Sequence, residues 1–142
     1  MPGMLRTMSD SLDSDGLHAL VPLAATLGIR VVSASAGEVR LELDWRDDLC
    51  TAADVLHGGA LMSLADTGGA VCAVFNLPEG ATGTTTVESK TNLLAAVRNG
   101  TVTAVSTPLK VGKTLIVVET EMRTGDGRLV AKTAQTQAVL RG

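Results

Sequence analysis

Between residues 29 and 44 apolar and polar side chains alternate in the two-residue period of a half-buried strand. Val39, Leu41 and Leu43 face one way, and Arg40, Glu42 and Asp44 the other. Ala36-Gly37 divides this stretch into two strands, over 29–35 and 38–44. Four further β-rich runs cover 84–94, 101–109, 114–123 and 128–140. In the third of these Val118, Thr120 and Met122 alternate with Glu119, Glu121 and Arg123, giving one dry face and one wet face. Asn99-Gly100 and the 124–127 segment read as hairpin turns, because Asn, Asp and Gly tolerate positive φ.

The 57–76 segment has another texture. Ala, Leu and Met occupy nearly every side of it and Leu77-Pro78 stops it, which predicts a helix buried on most faces. A shorter helix is expected over 16–27, with Pro22 inside it and Gly28 at its end. The order helix, two strands, long helix, four strands predicts an α+β domain, an antiparallel sheet wrapped over one central helix. Residues 1–15 read as a polar, flexible tail and 16–142 as a single domain.

Composition narrows the function classes. The 142 residues are 45% apolar, yet Trp45 and Phe75 are the only aromatics, so Ala, Val and Leu must build the core. Base-stacking platforms are therefore missing, and a net charge of −3 provides no basic field for a polyanion. No nucleic-acid partner is expected. Neither is a membrane span, since charge or glycine interrupts every long apolar run; the expected location is cytoplasmic. Cys50 and Cys72 read as reduced, hydrophobic thiols, and with only two histidines at unhelpful spacings no metal site is expected.

Two places could carry chemistry. His57-Gly58-Gly59 opens the long helix, where free backbone N–H groups and the helix dipole can hold a developing oxyanion. Close helix–sheet packing explains the glycines equally well. Asp66 is the one charge in the apolar helix, and no lysine or arginine lies between Arg46 and Lys90 to neutralise it locally. It reads either as a functional carboxylate or as one facing a solvated gap or subunit interface. Gly58 and Asp66 are 8 residues apart, roughly 12 Å along a helix, so they cannot meet on one reacting carbon within one chain. Antiparallel helices at a twofold axis could bring Asp66 of one copy to Gly58 of another. Lys110-Val-Gly112-Lys113 sits between two strands and suits either a phosphate or an ordinary solvated turn. A serine nucleophile elbow, a P-loop and a G-x-G-x-x-G fingerprint are all missing.

In order and spacing these residues resemble the PaaI-like branch of the hotdog-fold acyl-CoA thioesterases, from about Leu20 to Leu140. The resemblance rests most on His57-Gly-Gly-Ala-Leu-Met-Ser-Leu-Ala-Asp66. Leu27-Gly-Ile29, Thr86-Val-Glu-Ser-Lys-Thr-Asn-Leu-Leu94, Gly112-Lys-Thr-Leu115 and Asp126-Gly-Arg-Leu-Val-Ala131 add to it. It implies a hotdog sheet curled around the long helix, a dimer with a continuous sheet, and commonly a tetramer. It also implies hydrolysis of an acyl-CoA thioester with no separate cofactor, CoA being part of the substrate. By the same resemblance Asp66 is the base or nucleophile, the Gly58 N–H polarises the carbonyl, and His57 shapes the helix start. Thr86 helps hold the water, while Leu93, Lys110, Gly112 and Lys113 fall in CoA-contacting stretches. Thr51 stands where the family often has Asn or Gln, Asp54 where a Gly is usual, and Ala95-Ala96 where a basic-Pro pair is found. The alternative reading is a non-catalytic acyl-CoA binding or sensing protein, which the change at Thr51 would suit.

Overall fold

The computed structural model describes residues 11–142. Two short helices, α1 (Ser14–Leu20) and α2 (Pro22–Leu27), occupy the place of the single helix expected over 16–27. Proline has no N–H to donate, so Pro22 takes the first position of α2 and the break falls at Val21. Asp13 accepts from the Gly16 N–H at 2.8 Å and starts α1 ahead of the expected residue. Gly28, at φ +73°, closes α2 in the left-handed conformation that the stop required. Residues 1–10 of the expected tail lie outside the described residues.

The strands are β1 (Arg30–Ala34), β2 (Val39–Asp44), β3 (Gly83–Leu93), β4 (Thr101–Val111), β5 (Leu115–Thr124) and β6 (Leu129–Leu140). They form one antiparallel sheet in the order β1-β2-β4-β5-β6-β3. One expected connection is overturned. Asn99-Gly100 does not close a hairpin, because β3 pairs with β6 and not with β4. Instead the 94–100 segment carries the chain back across the fold. Val97 is buried there and accepts from the Leu56 N–H at 2.8 Å. Gly100 does adopt positive φ, at +75°, and its carbonyl accepts from the Trp45 N–H. The dipeptide therefore announced a local bend correctly, while long-range pairing decided which strands became neighbours.

The long helix α3 (Gly58–Phe75) lies across the inner face of the sheet and touches every strand from β2 to β6. Leu61, Leu64, Ala65, Val71 and Cys72 are buried in one cluster with Leu41, Leu43, Val102, Ile116, Val118 and Met122. Among the described residues it is the one helix long and apolar enough to cross a membrane, and half of it is buried inside this fold. It approaches the sheet closely at Gly68 and Gly69. A Cβ on Gly68 would stand 2.7 Å from Ser106 Oγ, and one on Gly69 would stand 2.1 Å from Gln135 Oε1.

Beneath the helix the inner face is not uniformly apolar. Ser106, Thr120, Thr133, Gln135 and Gln137 are all buried. Ser106, Thr120, Thr133 and Thr91 are register neighbours across β4, β5, β6 and β3. Their hydroxyls pair off, Ser106 with Thr120 and Thr91 with Thr133, each at 2.7 Å. That satisfies groups whose burial would otherwise be costly.

Candidate active site

The two candidate places sit at opposite ends of the sheet. His57 caps α3, its Nδ1 accepting from the Gly59 N–H at 2.7 Å. Nδ1 can accept only while unprotonated, so the ring's proton belongs on Nε2. This side chain caps the helix start. Ala60 and Leu61 donate back to the His57 carbonyl, and no described residue accepts from the Gly58 N–H. A Cβ on Gly58 would come within 2.4 Å of Leu93 Cδ1, so the leucine lies directly over the helix terminus.

Thr51, Gly58, Leu61, Leu93, Leu94 and Ala96 line part of a groove of about 400 Å³ at this terminus. Glycine at 58 thus keeps a backbone donor accessible beside an aliphatic wall. The loop that brings Thr51 here is held by a strained pair, Ala53 at φ +61° and Asp54 at φ +58°. Trp45 Nε1 donates to the Asp54 carbonyl at 2.9 Å, and Arg98 donates to the Ala53 carbonyl. Asp54 stands where the resemblance expects glycine, and its backbone takes the left-handed form that glycine adopts most easily. A larger hollow of about 700 Å³ lies between the 98–101 and 124–128 segments, and none of the candidate catalytic residues lines it.

Asp66 projects from the middle of α3 and is exposed. No salt bridge among the described residues reaches it. Its Oδ1 accepts from Thr86 Oγ1 at 3.2 Å and from Gln135 Nε2 at 3.4 Å. Gln137 Nε2 donates to Thr86 Oγ1 at 2.6 Å. Thr86 reaches this position because β3 carries a bulge at Val87, between the Thr86–Gln137 and Glu88–Thr136 pairs. A bulge re-aims the side chains beside it. Thr86 was expected here; Gln135 and Gln137 were not. A faint signal existed, since β6 presents Ala131, Thr133, Gln135 and Gln137 at period two on the face that should be apolar. The Oε1 atoms of both glutamines are buried without a partner among the described residues. Each such atom costs on the order of 1–3 kcal/mol.

The remaining expected residues divide between the two ends. Leu93 shares a register row with Ala131 and Met122, whereas Thr86 shares one with Gln137, Ile116 and Val111. The rows are about 20 Å apart at roughly 3.3 Å per residue. Lys110 and Lys113 are exposed around the β4–β5 turn, at the Asp66 end. Gly112 makes that turn, donating its N–H to the Leu115 carbonyl at 2.9 Å. Within one chain, then, Asp66 and Thr86 are in contact, Lys110, Gly112 and Lys113 lie at the same end of the sheet but up to three strands away, and Thr51, His57, Gly58 and Leu93 lie at the other end. The chain does not bring the two groups into one site. Among the described residues no group of three or more His, Cys, Asp or Glu could hold a metal ion.

The fold has counterparts among known proteins. Residues 53–131 match the pattern of the thioesterase superfamily. A Saccharolobus solfataricus protein named "Putative esterase SSO2140" is 34% identical over 116 residues, which cover 81% of each chain. The crystal structure of Haemophilus influenzae thioesterase HI1161 superposes with a TM-score of 0.84 at 26% identity, covering 92% of both chains. That of a thioesterase family protein from Silicibacter pomeroyi gives 0.80 at 29% identity, covering 88% of this chain and 93% of the other. The chain belongs to the thioesterase superfamily and has the hotdog fold. Its general chemistry is hydrolysis of thioesters.

Proposed function

We propose that this thioesterase hydrolyses an acyl-CoA to the free carboxylic acid and CoA, as a PaaI-like enzyme assembled from at least two copies. The observation that carries the reading is the Asp66 carboxylate, exposed in mid-helix and gripped only by neutral donors. As a base it takes a proton from water whose oxygen attacks the thioester carbon; the C–S bond breaks and the thiolate of CoA is protonated. As a nucleophile its own oxygen attacks, and water then cleaves the resulting anhydride. Either route places negative charge on the carbonyl oxygen, for which the free Gly58 N–H at a helix start is a suitable donor.

The separation of the two residue groups supports a composite site. A twofold axis would set Asp66 and Thr86 of one copy against Gly58, Thr51 and Leu93 of the next. It would bring Lys110, Gly112 and Lys113 to the same mouth, where the two ammonium groups suit the phosphates of CoA. The exposed β3 edge, eleven residues long, offers the continuous-sheet pairing that such a dimer needs. A further doubling to a tetramer is the assembly we expect.

Thiol release from acetyl- to palmitoyl-CoA, phenylacetyl-CoA and hydroxybenzoyl-CoA tests the reading, with Asp66→Asn beside the wild type and oligomeric mass followed by light scattering. Turnover that disappears in the variant while the assembly persists is expected. Near-normal turnover in Asp66→Asn would remove Asp66 from the chemistry. CoA binding without turnover by either protein would instead favour acyl-CoA sensing.

A further inference from the structure

Thr86 has a single hydroxyl proton, and the geometry decides where it goes. Gln137 Nε2 is a donor only, so at 2.6 Å it occupies the acceptor side of Thr86 Oγ1. The proton of Thr86 is then directed at Asp66 Oδ1, 3.2 Å away. Turning the Gln137 amide over would present a carbonyl to Thr86 and draw that proton off the carboxylate. Gln135 is fixed by the same logic, since only its amide nitrogen can face Asp66 Oδ1, at 3.4 Å. Both donors that reach Asp66, the Thr86 hydroxyl and the Gln135 amide, therefore point at one oxygen, and Gln137 fixes the direction of the first. Among the described residues nothing bonds to the other oxygen, Oδ2.

Both glutamines are 1% exposed and lie on the inner face of β6. An apolar side chain of the same length would fill either place without leaving a carbonyl oxygen unpartnered, as Oε1 of each is left. Two orphaned oxygens at neighbouring inward positions are a poor way to build a core. They are explicable if the amide nitrogens are required where they stand.

We infer that Gln137 and Gln135 are positioning residues: they lock the Asp66 carboxylate in rotation through Oδ1 and leave Oδ2 as the reacting atom. Gln137 acts through Thr86 and Gln135 acts directly. The inference rests on the reading that Asp66 performs the chemistry. A loose carboxylate still binds no substrate, so the loss falls on kcat and not on KM.

The test is steady-state kinetics and thermal unfolding of Gln137→Met, Gln135→Met, Thr86→Val, Thr86→Ser and the Thr86→Val/Gln137→Met double variant, on the acyl-CoA the wild type turns over fastest. Gln137→Met is expected to lower kcat about tenfold with KM unchanged and the melting temperature unchanged or raised, because an orphaned oxygen has gone. Gln135→Met is expected to lower kcat about fivefold, in keeping with its longer bond. Thr86→Ser should retain most activity, and the double variant should be no slower than Thr86→Val alone, because one relay has been cut twice.

Wild-type kcat in Gln137→Met and Gln135→Met, with Asp66→Asn inactive, overturns the positioning role alone. So does a fall in melting temperature that accounts for the lost activity, or multiplying effects in the double variant. An active Asp66→Asn, or no turnover by the wild type on any acyl-CoA tested, overturns the proposed function and this inference with it.

Discussion

Gly68 and Gly69 are consecutive on α3 and meet different parts of the sheet, so converting each to alanine separates packing from chemistry. On Gly69 the new Cβ would lie 2.1 Å from Gln135 Oε1, 2.3 Å from Cδ and 2.7 Å from Nε2. Gln135 is 1% exposed and has no open side to move into. On Gly68 the Cβ would lie 2.7 Å from Ser106 Oγ, whose partner is Thr120. Both substitutions gain about 1 kcal/mol of helix propensity. Both then lose about 1–3 kcal/mol to overpacking. The net loss is about 0–2 kcal/mol, a fall in melting temperature of at most about 8 °C for a domain of this size.

Only Gly69→Ala also pushes the Gln135 amide off Asp66. A hydrogen bond to a charged group is worth about 1.5–3 kcal/mol at good geometry. At 3.4 Å we take about 1 kcal/mol, which corresponds to roughly a fivefold loss of kcat. Gly68→Ala should match its neighbour in stability and keep wild-type kcat. Thermal unfolding and thiol-release kinetics on one acyl-CoA read both quantities. Wild-type kcat in Gly69→Ala, or the same slowing in both variants, would refute the assignment of Gly69 as the gap that Gln135 needs.

Burial pushes the Cys72 thiol up to about 11. The folded chain keeps that proton where the unfolded chain, near its ordinary value of about 9, has released it. Stability from this group is therefore full below pH 9 and falls as pH rises towards 11, by about 2–3 kcal/mol in all. Urea unfolding at pH 8 and pH 10.5 should show a smaller alkaline loss in Cys72→Ala than in the wild type; equal losses would count against it. Hydrogen bonds from Arg30 and then Thr101 hold the Asp44 carboxyl below the usual carboxylate range. That stability is present at neutral pH and disappears as pH falls through the depressed value. The Arg30 and Asp44 side chains are 42% and 48% exposed, so Arg30→Met should cost no more than about 1 kcal/mol at pH 7, and nothing once Asp44 is protonated. Ala53→Gly relieves a left-handed alanine, and the relief roughly offsets the added freedom of the unfolded chain. Its unfolding midpoint should equal or exceed that of the wild type, whereas a drop beyond about 1 kcal/mol would show that this turn stores no strain.

Strands and helices were legible wherever period and punctuation agreed. Val39, Leu41 and Leu43 alternate and are buried, Gly28 marks a real helix end, and Leu77-Pro78 follows the real end of α3, whereas Pro22, expected inside one helix, starts a second. Asp66 was legible for an energetic reason, being a lone carboxylate in an apolar helix with no nearby cation in sequence. His57 and Gly58 were legible as a helix start, since the cap and the bare N–H are local properties. What failed was neighbourhood. Asn99-Gly100 looked like a hairpin because turn chemistry is read over four residues, whereas β3 pairs with a strand that begins 36 residues after β3 ends.

The same limit hid the two glutamines. Gln137 bonds to Thr86 across 51 residues of sequence, and Gln135 to Asp66 across 69. Seen along β6 alone, Gln135 and Gln137 are two polar residues in a mixed strand, with only the period-two row from Ala131 to suggest that they face inward. Their meaning depends on the β3–β6 register, and that register shifts at Val87, where a bulge changes which face each residue presents. A one-residue error there would turn Thr86 outward and leave Asp66 without its hydroxyl donor. The residues that orient the candidate carboxylate are thus legible only after the strand pairing is known. The carboxylate itself is visible before it, because a lone charge in an apolar helix stands out along the sequence without any knowledge of pairing.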